Sequence, residues 1–285
     1  MQKLKDQVVV VTGGGRGIGK AIVRACAMEG AKVAIAARSQ KEVENTAAEI
    51  RAELKVEVIG VACDVASMDQ VVNLMETARA KLGPIDGVVA AAGIYGAIGP
   101  FDQIPFDEWS KAIDVNLLGT ARTIHAVVPE MKKRKRGKIV LFSGGGQNGI
   151  ANFSAYTTGK GGIWRLTETL GEELAPFGIF LNALAPGNVN TQFLDDLLAA
   201  GPEKVGKDLY ERSLKQKQQG AYPPEKAAKL AVHLLSDLAE GLYGRTLSAI
   251  WDDYENIRDN RAVSRSDLYT MRRVVTEDGG TRPPK

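Results

Sequence analysis

The chain has 285 residues, a formal net charge of +3, and 44% hydrophobic against 25% charged residues. That balance excludes a disordered chain and leaves enough apolar residues for a sizeable core. No apolar run approaches the length of a membrane-crossing helix, and the opening Met1-Gln2-Lys3-Leu4-Lys5-Asp6 lacks a signal-peptide layout, so a cytoplasmic location is the expectation.

The first two hundred residues alternate between two periodicities. Residues 8–12 form a β-branched apolar run, read as a fully buried strand, and 17–29 follow with helical spacing. Further strands are expected at 32–37, 56–63, 85–91, 138–143, 179–185 and 246–250, and further helices at 40–54, 68–82, 107–135 and 154–177. Strands separated by helices imply a parallel sheet with right-handed crossovers and helices on both faces. The fold class expected is therefore α/β: a single-domain, Rossmann-type, doubly wound sheet of about seven strands over residues 1–250. Residues 188–222 break the rhythm. They are polar, helical in tendency and bounded by prolines, and are read as a substrate loop.

The extension 251–285 carries seven basic and seven acidic side chains, so it is no nucleic-acid arm. Its Trp251, Tyr254, Ile257, Leu268, Tyr269, Met271, Val274 and Val275 are too apolar for a disordered end. Docking on the substrate loop, docking on a neighbouring subunit, and a brace that adds only stability all stay open. The basic run at 132–138 closes a predicted helix, where cations complement the dipole, and is read that way rather than as a nucleic-acid patch. Cys26 and Cys63 sit in apolar surroundings and are read as buried free thiols. His125 and His233 stand alone, and no Cys/His cluster has metal spacing.

Thr12-Gly13-Gly14-Gly15-Arg16-Gly17-Ile18-Gly19 joins the first strand to the first helix. Glycine permits both a sharp turn and the approach of a dinucleotide diphosphate, and the helix amides then face the anion. An acid at the end of the second strand would bond the 2′-hydroxyl of NAD. Ala37 stands there instead, followed by Arg38 and Ser39. A guanidinium clamps a phosphate that a carboxylate would repel, and Arg16 can approach the same group, so NADP(H) is the expected cofactor. Tyr156 and Lys160 are four residues apart in a predicted helix and share one face. A positive charge beside a phenol favours the phenolate.

The spacing of the glycine loop, Tyr156-Thr157-Thr158-Gly159-Lys160, and Ser143 thirteen residues before Tyr156 resemble the short-chain dehydrogenase/reductase family over residues 7 to about 250. The resemblance implies a nicotinamide-dependent carbonyl reductase or secondary-alcohol dehydrogenase with Asn116, Ser143, Tyr156 and Lys160 as the catalytic set. Ser143 would hold the substrate oxygen and Tyr156 would be the acid/base. Lys160 would hydrogen-bond the nicotinamide ribose, and Asn116 would hold a relay water. It further implies cofactor contacts from Gly13, Gly15, Arg16, Gly17, Ile18, Gly19, Arg38, Ser39, Tyr156 and Lys160. Asp64 and Val65 would meet adenine, while Ala91, Ala92 and Gly93 would flank the adenine ribose. Pro186, Gly187, Val189 and Thr191 would fix the carboxamide and present the pro-S hydride.

Two departures stand out. Ala90-Ala91-Ala92-Gly93 replaces the family's Asn-Asn-Ala-Gly, and the chain runs on past Ile250. The resemblance also implies a homotetramer, with a dimer as the alternative. The substrate is expected to be a small carbonyl or alcohol, with a polar molecule such as a sugar or polyol favoured. Alternatives are a 3-oxoacyl-thioester reductase and, in another class, a non-catalytic NADP(H)-binding sensor or scaffold. No nucleic-acid or membrane partner is expected.

Overall fold

The computed structural model describes residues 2–272. Seven strands form one parallel sheet in the order β3-β2-β1-β4-β5-β6-β7. They are β1 (Val8–Thr12), β2 (Lys32–Ala37), β3 (Val58–Ala62), β4 (Ile85–Ala90), β5 (Gly137–Phe142), β6 (Ile179–Ala185) and β7 (Thr246–Ser248). Every residue of β1 is buried, as expected of a central strand covered on both faces. Each of its valines contributes roughly 1.5–3 kcal/mol by leaving water.

Helices α1 (Gly17–Met28), α2 (Gln40–Leu54) and α10 (Pro224–Leu235) cover one face. Helices α3 (Met68–Leu82), α5 (Gly119–Arg134) and α6 (Ser154–Leu174) cover the other. The strand order reverses between β1 and β4, and the loops that leave the carboxyl ends of these two strands part there to open a cleft.

The helix expected at 107–135 is interrupted. Helix α4 (Phe106–Ile113) runs into a π-helical turn, Asp114–Leu118, before α5 begins. The wider turn carries Asn116 inward, a use of π geometry that recurs at functional sites. The helix expected at 154–177 ends at Leu174 and tightens into a 3-10 turn holding Pro176, which cannot donate to the preceding turn. The loop at 188–222 resolves into α7 (Gln192–Ala200), α8 (Pro202–Val205) and α9 (Lys207–Gln219), which lie over the cleft.

The basic run is tied into the fold. Lys132 pairs with Glu173 and Arg134 with Asp86, while the mostly buried Lys138 pairs with Glu240. Cys26 and Cys63 are free and buried, and burial pushes their thiols up to about 12 and about 11. His125 is exposed, and His233 is buried edge-on against Tyr254.

Past β7 the chain turns back onto its own subunit. Tyr254 joins the core beneath α10, with Ile257 and Val263 packed against it. The buried Arg245 donates to the carbonyls of Val263, Ser264 and Ser266. The amide of Thr246 donates to Tyr269, so the tail covers the outer edge of the sheet, where an open strand would recruit another chain. Helix α11 (Asn260–Ser264) lies within this strap. Trp251 alone reaches the cleft mouth, edge-on to Tyr222. Among the described residues the tail therefore braces this subunit through Tyr254, Ile257 and 263–269 and borders the substrate loop at Trp251. Val274 and Val275 lie outside the described residues. Among the described residues no helix is long and apolar enough to cross a membrane.

Candidate active site

The first wall of the cleft is the glycine loop. Gly13 and Gly17 adopt φ of +69° and +55°, a region that favours glycine. A side chain at Gly13 would stand 2.8 Å from Ala92, and one at Gly19 would meet the Gly13 carbonyl at 2.0 Å. The loop thus lies flat against Ala91-Ala92. The amides of Ala91 and Ala92 donate to the carbonyl and hydroxyl of Thr12.

Helix α1 opens at Gly17 with no side-chain cap and no acid in its first turn, which leaves its amides and dipole directed at the cleft. Ile18, Ala37, Arg38, Ser39, Asp64, Val65 and Gly93 line the same cleft. Thr191 faces Gly17 across it, 3.5 Å from where a Cβ would stand. Gly15 does not stand open: a side chain there would collide with the carboxylate of Glu42.

Glu42 escaped the sequence reading, which looked for an acid only at the end of β2. Its signal was present, because it stands three residues after Ser39, whose hydroxyl caps α2 by accepting from the Glu42 amide. Arg16 and Arg38 face this end and form no ion pair among the described residues. One Asp64 oxygen accepts from the Ala66 amide in an Asx turn. Ser39 and Asp64 thus hold local structure as well as lining the cleft. The glycine cradle, the free helix amides and the two arginines together fit a dinucleotide.

The second wall comes from the carboxyl ends of β5 and β6. Ser143 follows β5 with only 1% of its surface exposed, and its Oγ is a buried polar atom without a partner. Such an atom is costly unless something completes it, which suits a group meant for a ligand oxygen. Tyr156 and Lys160 project from the same face of α6. The Tyr156 hydroxyl donates to Gly144 O at 3.0 Å, and Lys160 Nζ donates to Phe142 O at 2.9 Å.

Gly144-Gly145-Gly146 follows Ser143, and its lack of side chains leaves room. It is room for α6: a side chain on Gly145 would meet the Tyr156 ring at 2.6 Å, and one on Gly146 the Lys160 backbone at 2.4 Å. Burial lowers the Lys160 ammonium to about 8. Burial also pushes the Tyr156 phenol up, with Tyr95 adding to it, against the expectation that Lys160 would draw it down. The ammonium lies 5.8 Å from the centre of the phenol ring, and desolvation of the phenolate wins.

Asn116 is fully buried. Its Nδ2 donates to Ile94 O and its Oδ1 accepts from Ile94 N, at 2.8 and 2.9 Å. Its side chain therefore pins the loop after β4. Gly93 sits between Asn116 Oδ1 and Lys160 Nζ, which lie 2.9 and 3.7 Å from the place of its missing Cβ. Val189 is buried, and Pro186 and Gly187 pack against Gly144 and Ile250. Gly13 and residues 16–19 of the glycine loop, the end of β2, Tyr156, Lys160 and residues 186–191 thus line one cleft, with Asn116 and Ser143 buried behind its wall. Among the described residues no acid/His/Cys group has the arrangement of a metal site.

A family model, the short chain dehydrogenase, matches residues 7–200. This chain belongs to that family, the short-chain dehydrogenases/reductases. The short-chain reductase protein NovJ of Streptomyces niveus is 38% identical over 207 residues, 72% of this chain and 76% of that protein. Among solved structures, levodione reductase superposes with a TM-score of 0.79 at 29% identity, over 86% of this chain and 96% of that one. NAD+-bound xylitol dehydrogenase gives 0.79 at 28% identity, over 86% and 98%. As a member of the family this short-chain dehydrogenase/reductase is an oxidoreductase that uses a nicotinamide cofactor on a carbonyl or alcohol carbon.

Proposed function

We propose that this enzyme is an NADP(H)-dependent carbonyl reductase or secondary-alcohol dehydrogenase with Tyr156 as its acid/base. The observation that carries the reading is the buried Ser143 hydroxyl, without a partner among the described residues, set between Phe142 and Gly144, which line the cleft with Tyr156 and Lys160. The bound nicotinamide supplies or accepts the hydride.

The remaining chemistry belongs to the chain. Ser143 Oγ donates to the substrate oxygen and stabilises the charge that grows there. Tyr156, held protonated by burial, gives up its bond to the Gly144 carbonyl and donates its proton to that oxygen during reduction. Lys160 keeps a positive charge beside the phenol as its proton leaves. Asn116, by fixing Ile94, holds the Gly93 turn close to the Lys160 ammonium. NADP(H) rather than NAD(H) is supported by Arg16 and Arg38, which outnumber Glu42 at the loop. A homotetramer, with a dimer as alternative, is part of the proposal. Phe106 on α4 and Leu118 in the π turn are large exposed apolar side chains that support burial against another copy.

The pH dependence tests the pairing of Tyr156 with a charged Lys160. Since the ammonium loses its proton near 8, the charge is present below that value and lost above it. With NADPH absorbance as readout and a ketone as substrate, reductive kcat/KM is expected to fall as the pH rises through about 8. A profile that stays flat across this value would remove the Lys160 charge from the mechanism.

A further inference from the structure

The cleft beside Tyr156 is walled by rings. Tyr95, two residues past Gly93, meets the Tyr156 ring edge-on, with centroids 4.8 Å apart and planes at 67°. Phe153 approaches Tyr95 at 5.3 Å and Phe193 of the lid helix α7 at 4.7 Å, both edge-on. The Phe193 ring lies 6.1 Å from that of Tyr156, and its tip comes within 3.9 Å of the place of a Gly93 Cβ. One aromatic ring, carried by the lid, is therefore seated between the phenol and Gly93. Leu197 and Val205 close the wall around Phe153. Three pairs of polar side chains on the lid are engaged with one another: Gln192 with Asp196, Lys217 with Asp195, Gln216 with Asn190.

Such a wall selects by chemistry. A polyhydroxylated molecule would lose water from each hydroxyl set against these rings and gain no partner from them. A planar ring would gain edge-to-face contacts of the kind Tyr95 already makes. We propose that the substrate is a carbonyl compound, or the corresponding alcohol, that carries an aromatic ring next to the reacting carbon, and that Tyr95 selects it. The substrate ring takes the place of Phe193, which moves outward with α7 and packs on the far face. This replaces the sugar or polyol expected from the sequence, and it rests on the carbonyl-reductase reading.

The test compares acetophenone, cyclohexyl methyl ketone and 2-octanone, which have equal carbon counts, with xylulose, in wild type, Tyr95→Leu and Tyr95→Phe. Calorimetric titration of 1-phenylethanol into the same three proteins gives binding without turnover. The wild type is expected to favour acetophenone over 2-octanone in kcat/KM by roughly tenfold, and over xylulose by more. Tyr95→Leu should collapse that ratio and weaken 1-phenylethanol binding, while Tyr95→Phe keeps both. Xylulose reduced as well as acetophenone, or a ratio that Tyr95→Leu does not move, would overturn the proposal and leave the carbonyl-reductase reading standing. No ketone reduced, yet 1-phenylethanol bound in a Tyr95-dependent way, would uphold the aromatic site and sink that reading instead.

Discussion

Tyr156→Phe is expected to lower kcat by roughly a thousandfold while the affinity for NADPH stays within a factor of about two. The substitution removes one hydroxyl and keeps the ring. The contacts with Tyr95 and the place beside Gly145 depend on the ring alone. The hydroxyl's bond is to the carbonyl of Gly144, an irregular loop residue with room to turn to water, so the cost in stability is about 1 kcal/mol. The transferable proton is what disappears. Direct titration of NADPH by fluorescence, set beside steady-state kinetics, separates the two effects. Retention of more than a few per cent of wild-type kcat would remove Tyr156 as the acid/base.

Arg38→Asp should move the ratio of kcat/KM for NADPH over NADH toward NADH by roughly a hundredfold or more. A charge-assisted hydrogen bond contributes about 1.5–3 kcal/mol, and a guanidinium makes such bonds in pairs. The variant loses that clamp and sets a carboxylate where it can accept from a 2′-hydroxyl. Glu42 already faces the glycine loop, so two acids would then stand against Arg16 alone. An unchanged ratio would mean that Arg38 does not touch the phosphate.

The parts of this fold that were legible in the sequence are those set by local pattern. Strand β1 is a β-branched run that ends at a glycine, and the glycine loop and the Tyr156–Lys160 spacing lie within short stretches of chain. The π turn at 114–118 was not legible, because the partner its Asn116 meets is the carbonyl of Ile94, twenty-two residues earlier. Tyr95, Phe153 and Phe193 belong to three separate irregular or lid segments and meet only when β4, α6 and α7 converge. No periodicity marks a residue of that kind. The upward shift of the Tyr156 phenol was missed for a related reason: spacing places a lysine near a phenol, but burial, which here outweighs the charge, is a property of the whole fold.

Hydride transfer to a carbonyl carbon within this cleft is tracked by isotope transfer from the cofactor. The enzyme would be supplied with acetophenone and NADPH deuterated at either the pro-S or the pro-R position of the nicotinamide, and the alcohol analysed by mass spectrometry. Deuterium from the pro-S position should appear on the carbinol carbon, and deuterium from the pro-R position should remain in the cofactor. Transfer from the pro-R position would contradict the ring face assigned to Val189 and Thr191. An alcohol free of deuterium from either label, or no alcohol from any ketone tried, would contradict the claim itself.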